Sequence, residues 1–176
     1  MTPLTNASEH PTSAGHDAAG TNPAGPNPAT QDHGAIDPSR SLYRFALFVV
    51  VATLVLIKVG AMVTSTGSGM AFPDWPLANG SWWPPGLFSD PDKLAGLLEH
   101  GHRAIGTTIG ILVLSLTIWI GVAESRAWLR RLTVGVLLLV CAQGVIGGVG
   151  VEEGLLAVTS VTHGVLAQVI LCLLVL

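Results

Sequence analysis

The chain reads as an all-α integral membrane protein, a four-transmembrane-helix bundle behind a disordered N-terminal tail. Three observations predict this. Only 11% of the 176 residues are charged, against about a quarter in an average soluble domain. Residues 1–40 hold nearly no large apolar side chains, and the rest of the chain is correspondingly greasier. Four apolar runs follow that point, each near the ~20 residues that cross a bilayer.

Residues 1–40 are dominated by Pro, Gly, Ala, Thr and Asn. Such a segment buries too little apolar surface to offset its ordering entropy, so it is expected to be a disordered tail. It lacks the basic stretch and apolar run of a signal peptide. His10, His16 and His33 lie there at irregular spacing and read as solvated. The spans are expected at about 45–63, 94–123, 132–151 and 155–176, with residues 41–176 forming the membrane domain. Cys141 and Cys172 both lie inside apolar runs, which rules out a disulfide between polar loops. A net charge of −3 and no basic cluster exclude a nucleic-acid partner.

Lys and Arg set the expected orientation. Arg40 and Arg44 precede the first span, and Arg126, Arg130 and Arg131 fill the link between the second and third. The other side carries Lys93 and the Val-Glu-Glu-Gly link at 151–154. The N-terminus is therefore expected to be cytoplasmic, with the loop from about Thr64 to Lys93 outside. Trp75, Trp82 and Trp83 suit that outer interface, and Trp128 the inner one. The chain stops at Leu176 within an apolar run, which reads as a fragment or a truncated reading frame.

The chemistry is concentrated in Glu99-His100-Gly101-His102-Arg103 at the start of the second span. Ionisable groups in a bilayer cost several kcal/mol and so mark function. Glu99, His102 and Arg103 share a helix face by their i, i+3, i+4 spacing, whereas His100 points elsewhere. A plain helix start, with Arg103 snorkelling to headgroups, explains Arg103 equally well. His102 has a partner: His163 is the only other histidine in a span. His102 follows Lys93 by nine residues and His163 follows Gly154 by nine, so each ring sits roughly 13 Å below the same boundary. Two histidines at one depth on different helices can hold opposite faces of a heme iron, and should approach within about 8–13 Å. Gly106 and Gly110 after His102, and Thr159 and Ala167 around His163, leave room for a flat macrocycle. Gln143, Gly144, Gly147 and Gly148 repeat that theme in the third span, although close helix packing accounts for them as well. A zinc hydrolase does not fit: His100 and His102 fall on different faces, and no His-Glu-x-x-His occurs.

With these residues in hand, the chain resembles the heme A synthase family over about residues 45–176. The stretch from Gly60 to Pro76, with its Pro-Asp-Trp-Pro, is similar to that family's end of span one and following loop. Glu99-x-x-His102-Arg103 matches its Glu-x-x-His-Arg signature, Gln143 to Gly148 its Gln and Gly-Gly pair, and His163 its fourth-span histidine. The resemblance implies an oxidoreductase of cytochrome oxidase assembly in a bacterial-type plasma membrane. Its substrate would be heme O, whose C8 methyl becomes a formyl group by way of a hydroxymethyl stage. His102 and His163 would ligate iron, Glu99 would handle protons, and Arg103 and Gly106 would line the cofactor, with Arg103 pairing either with Glu99 or with a propionate. Lys58 is a second propionate candidate, although snorkelling explains it better. Partners implied are membrane lipid, a heme O synthase, the oxidase assembly machinery and a second copy of the chain. The family has eight spans in two similar halves. This chain corresponds to the first half, so the half that would hold heme b is missing. Many members carry two cysteines flanking Pro-Asp-Trp-Pro; here those places hold Phe72 and Ala78.

Two other function classes compete. A b-type cytochrome used only for electron transfer would need the histidine pair but no carboxylate at position 99. A non-heme assembly factor would show no Soret absorbance.

Overall fold

The computed structural model describes residues 38–84, 87–88, 93–154 and 156–176. The histidines at positions 10, 16 and 33, and the rest of the expected tail up to residue 37, lie outside the described residues. Four helices follow one another: α1 (Pro38–Ser65), α2 (Lys93–Ala123), α3 (Ala127–Glu152) and α4 (Ala157–Val175). All four are long and apolar enough to cross a membrane. No strand is present among the described residues beyond one isolated bridge.

The helices run past most of the expected spans. α1 starts seven residues earlier than expected, and α3 five. Polar residues such as Arg40, Arg44, Arg130 and Arg131 continue the helices beyond the apolar segment, because backbone hydrogen bonding does not stop where apolar side chains do. Pro38 opens α1, at the one helical position where the missing N–H costs nothing. Gly67 ends α1 at φ 67°. There Ser68 N–H donates to Val63 O (2.9 Å) and Gly67 N–H to Thr64 O (3.2 Å), a Schellman closure. Gly154, at φ 76°, follows α3 with its N–H on Val151 O (3.1 Å).

Around the bundle, α1 packs on α2 and α4, and α3 packs on α2 and α4. Helices α2 and α4 are therefore diagonal. The apolar core joins Val49 of α1, Ile109, Val113, Leu116 and Ile120 of α2, Val136 of α3 and Ile170 of α4. The α2 members recur every three to four residues, as one helix face requires. Hydroxyls within the spans are satisfied locally: Thr53 Oγ1 donates to Val49 O (2.8 Å), and Thr117 Oγ1 to Val113 O (2.8 Å). At the end opposite the α1–α2 loop, the Glu124 carboxylate accepts from the Arg126 guanidinium (2.6 Å) and backbone N–H (3.1 Å), which holds its pKa down at about 2.

The described part of the α1–α2 loop carries a turn, a side-chain-to-backbone cap and a small core. Ala78 and Ser81 bridge each other across Asn79 (φ 51°) and Gly80 (φ 73°), both left-handed, as a type I′ turn needs. The Asp74 carboxylate accepts from the Asn79 and Gly80 N–H groups at 2.7 Å each. Phe72, Ala78 and Leu87 form a second small core with Leu97 of α2.

Candidate functional site

The site lies at the loop end of the bundle. His102 is seven residues before Ile109, so it stands roughly 10 Å along the α2 axis from the start of the apolar core. Its imidazole and that of His163 meet in the bundle centre with ring centroids 6.3 Å apart and planes at 69°. That is closer than the 8–13 Å expected from the sequence. Two metal–imidazole bonds of about 2 Å, with about 1.1 Å from each nitrogen to its ring centre, would place the centroids about 6.2 Å apart across one ion. Because α2 and α4 are diagonal, the two rings meet across the bundle between helices that do not otherwise pack on each other. The Nδ1 atoms of both rings are buried without a hydrogen-bond partner. An unpaired buried polar atom is costly, and the donor set fits an iron or other metal held between two imidazoles.

Each histidine is boxed from its own hairpin partner. A Cβ added at Gly60 of α1 would stand 2.8 Å from His102 Cε1, and one at Gly147 of α3 would stand 2.9 Å from His163 Cε1. Gln143, one turn before Gly147, donates its Nε2 to the His163 carbonyl oxygen at 2.8 Å. Its Oε1 is buried and unpaired.

Glu99 and Arg103 face the loop. Glu99 is 3% exposed. Its Oε2 accepts from the Phe72 N–H (3.0 Å), and its Oε1 is paired with the Arg103 guanidinium. Arg103 also donates from Nη1 to Asp74 O and Leu77 O, at 2.8 Å each, and from Nη2 to Phe72 O at 3.0 Å. All four terminal N–H donors are thereby committed to protein acceptors. Of the two partners the sequence left open for Arg103, the structure joins it to Glu99. A Cβ on Gly106 would meet nothing within 4 Å, and Lys58 is exposed on α1. His100 points away from His102, as expected, with Phe72 and Trp83 edge-on at 6.3 and 5.3 Å.

Residues 43–176 match the family described as cytochrome oxidase assembly protein. The chain belongs to that family. Among its relatives are proteins named heme A synthase from Geobacillus kaustophilus (38% identical over 65% of this chain), Chelativorans sp. (36% over 64%) and Bacillus licheniformis (33% over 71%). The matched stretch covers 35%, 32% and 40% of those relatives, so the chain spans about a third of their length. No solved structure gives a significant match.

In this family member, the positions that the resemblance assigns to cysteines are filled by apolar packing: Phe72 is 7% and Ala78 2% exposed. Sequence reasoning missed three features of this family member. It did not find that Gly60 and Gly147 box the histidines, since nothing in the string ties a glycine to a ring on another helix. It assigned Trp75 to the outer interface without finding that the indole, 39% exposed, also lies against Gly148 of α3, where a Cβ would collide with it. It also passed over Asn79-Gly80, the strongest short-range turn signal in the chain.

Proposed function

We propose that this chain is the heme-holding unit of a heme A synthase, gripping heme O between His102 and His163. The spacing of the two rings is the observation that carries this reading. The bound heme would present its C8 methyl for oxidation to the formyl level. The chain's own residues hold and shield: His102 and His163 clamp the two faces, Gly106 leaves α2 bare for a flat ligand, and the loop pinned by Arg103 covers the adjoining end. The N-terminus is assigned to the cytoplasm and the α1–α2 loop to the opposite side, on the Lys and Arg bias.

The purified protein, titrated with hemin or heme O, should develop a low-spin Soret spectrum. His102→Ala and His163→Ala should each abolish it. A wild-type chain without Soret absorbance, or alanine variants that keep the low-spin spectrum, would refute the reading.

One observation favours a second reading, that of an electron carrier. Both Glu99 oxygens are engaged, by Arg103 and by Phe72 N–H, so the carboxylate has a role in holding the loop that needs no part in the chemistry. Glu99→Gln keeps the shape and removes the charge. In a chain extended to the full length of its relatives, loss of heme A formation with an intact low-spin spectrum supports the proton-handling role. Normal heme A formation assigns Glu99 to the loop alone.

A further inference from the structure

Two glycines stand in equivalent places in the two hairpins. Gly60 lies five residues before the end of α1, and Gly147 five before the end of α3. Each faces the imidazole of the next helix through its Cε1 edge. From a Cβ built at Gly60 the two ring nitrogens of His102 would follow at 3.4 and 3.5 Å, and from one at Gly147 those of His163 at 3.3 and 3.8 Å. Gly121 and Gly135 meet nothing within 4 Å, while Gly96, Gly148 and Gly150 are approached by Phe72, Trp75 and Thr159 respectively. Among the described glycines, close approach to an imidazole therefore belongs to Gly60 and Gly147.

Building on the heme-holding reading, we propose that Gly60 and Gly147 are positioning residues that fix the planes of the two histidine ligands, braced 69° apart, by admitting each imidazole edge where any Cβ would turn it. The mechanism is steric. An imidazole is tethered to its helix through Cβ, so a methyl group under 3.0 Å from Cε1 leaves it two responses: rotation about χ2 or withdrawal from the bundle centre. Rotation changes the angle between the ligand planes, and withdrawal weakens the bond. On α4 the ring has a second restraint, because Gln143 ties the His163 carbonyl to α3. Rotation should therefore dominate at His163. Among the described residues His102 has no such tie, so withdrawal should contribute more there. Ligand-plane orientation is read directly in the ferric electron paramagnetic resonance (EPR) spectrum of a bis-imidazole iron. Steeply crossed planes give a strongly anisotropic low-spin signal, and near-parallel planes a rhombic one.

The test uses the whole chain in detergent or nanodiscs, loaded with hemin. Wild type should give the strongly anisotropic signal. Gly60→Ala should weaken hemin binding about 10–100-fold, the range for partners that orient a metal ligand. Gly147→Ala should move the signal toward the rhombic form with a smaller loss of affinity. Gly121→Ala and Gly135→Ala should match wild type in both measurements. A rhombic wild-type signal would overturn the proposal even if the alanine variants fail to fold, as would Gly60→Ala and Gly147→Ala proteins that match wild type. In both cases the histidine reading survives, because its own test is loss of the low-spin spectrum in His102→Ala and His163→Ala. Absence of hemin binding by wild type overturns both.

Discussion

Replacing Arg103 with methionine keeps the bulk of the side chain and removes its donors. Three loop carbonyls, Phe72, Asp74 and Leu77, then lose their shared partner, and Glu99 is left as a buried, unpaired carboxylate. Removing one member of a buried pair costs about 3–5 kcal/mol. Arg103 retains 16% side-chain exposure, so water recovers part of the loss and about 3 kcal/mol is the appropriate figure. At about 1.4 kcal/mol per decade, this raises the population of the unlatched loop by roughly 100-fold. Ala78, 2% exposed inside the loop, is the reporter. In a background with the free Cys141 and Cys172 changed to alanine, the Ala78→Cys thiol should react with a maleimide about 100-fold faster when Arg103 is methionine. Arg103→Lys should fall between, since one ammonium cannot reproduce the planar fork. Changing Glu99 to glutamine together with Arg103→Met should recover part of the protection, because no orphan charge remains. A labelling rate within threefold of the parent in Arg103→Met would show that the loop is held by its apolar contacts and that the carbonyl collar contributes little.

Two further outcomes follow from the loop and the charges. The N–H groups of Gly80 and then Asn79 hold the Asp74 carboxyl below its ordinary 3.8. A pKa depressed on folding contributes stability that is complete above the unfolded value and lost as pH falls through the folded one. Carbon-13 titration should therefore find Asp74 still ionised below pH 3.8, and Asp74→Asn should leave the turn insensitive to acid; an ordinary carboxyl titration at Asp74 would contradict the turn geometry. For topology, a cysteine placed at Ser125 in the same cysteine-free background should resist a membrane-impermeant reagent added to intact cells, while one at Asn79 should react. The reverse pattern would invert the assigned orientation.

How much of this was legible in the sequence depends on the range of the interaction. The four helices follow from apolar length, a property of single segments, and so they were readable. The pairing of His102 with His163 was also readable, because helical rise converts residue number into depth. The pairing of Arg103 with Glu99 could be named, since i, i+4 neighbours meet on any helix, but the choice between a carboxylate and a ligand propionate could not. That choice turns on carbonyls supplied by Phe72, Asp74 and Leu77, whose positions depend on how the loop folds back. The contacts of Gly60 with His102, Gly147 with His163, and Trp75 with Gly148 depend on helix rotation, which a segment's own pattern leaves free. The extra turns of α1 and α3 were missed because apolarity marks the bilayer core, whereas hydrogen bonding marks the helix.

The Arg103 collar is drawn entirely from residues 72–103, whereas Trp75 finds its seat only on Gly148, more than seventy residues later in the chain. These closures differ in when they become possible. Every partner of the collar is already synthesised once the first two helices are made, so the collar can close before α3 exists. The seat of the Trp75 indole needs α3, the helix that also carries Gly147 beside His163. The polar closure is thus local in sequence, and the long-range one asks only that a ring fit against a bare backbone.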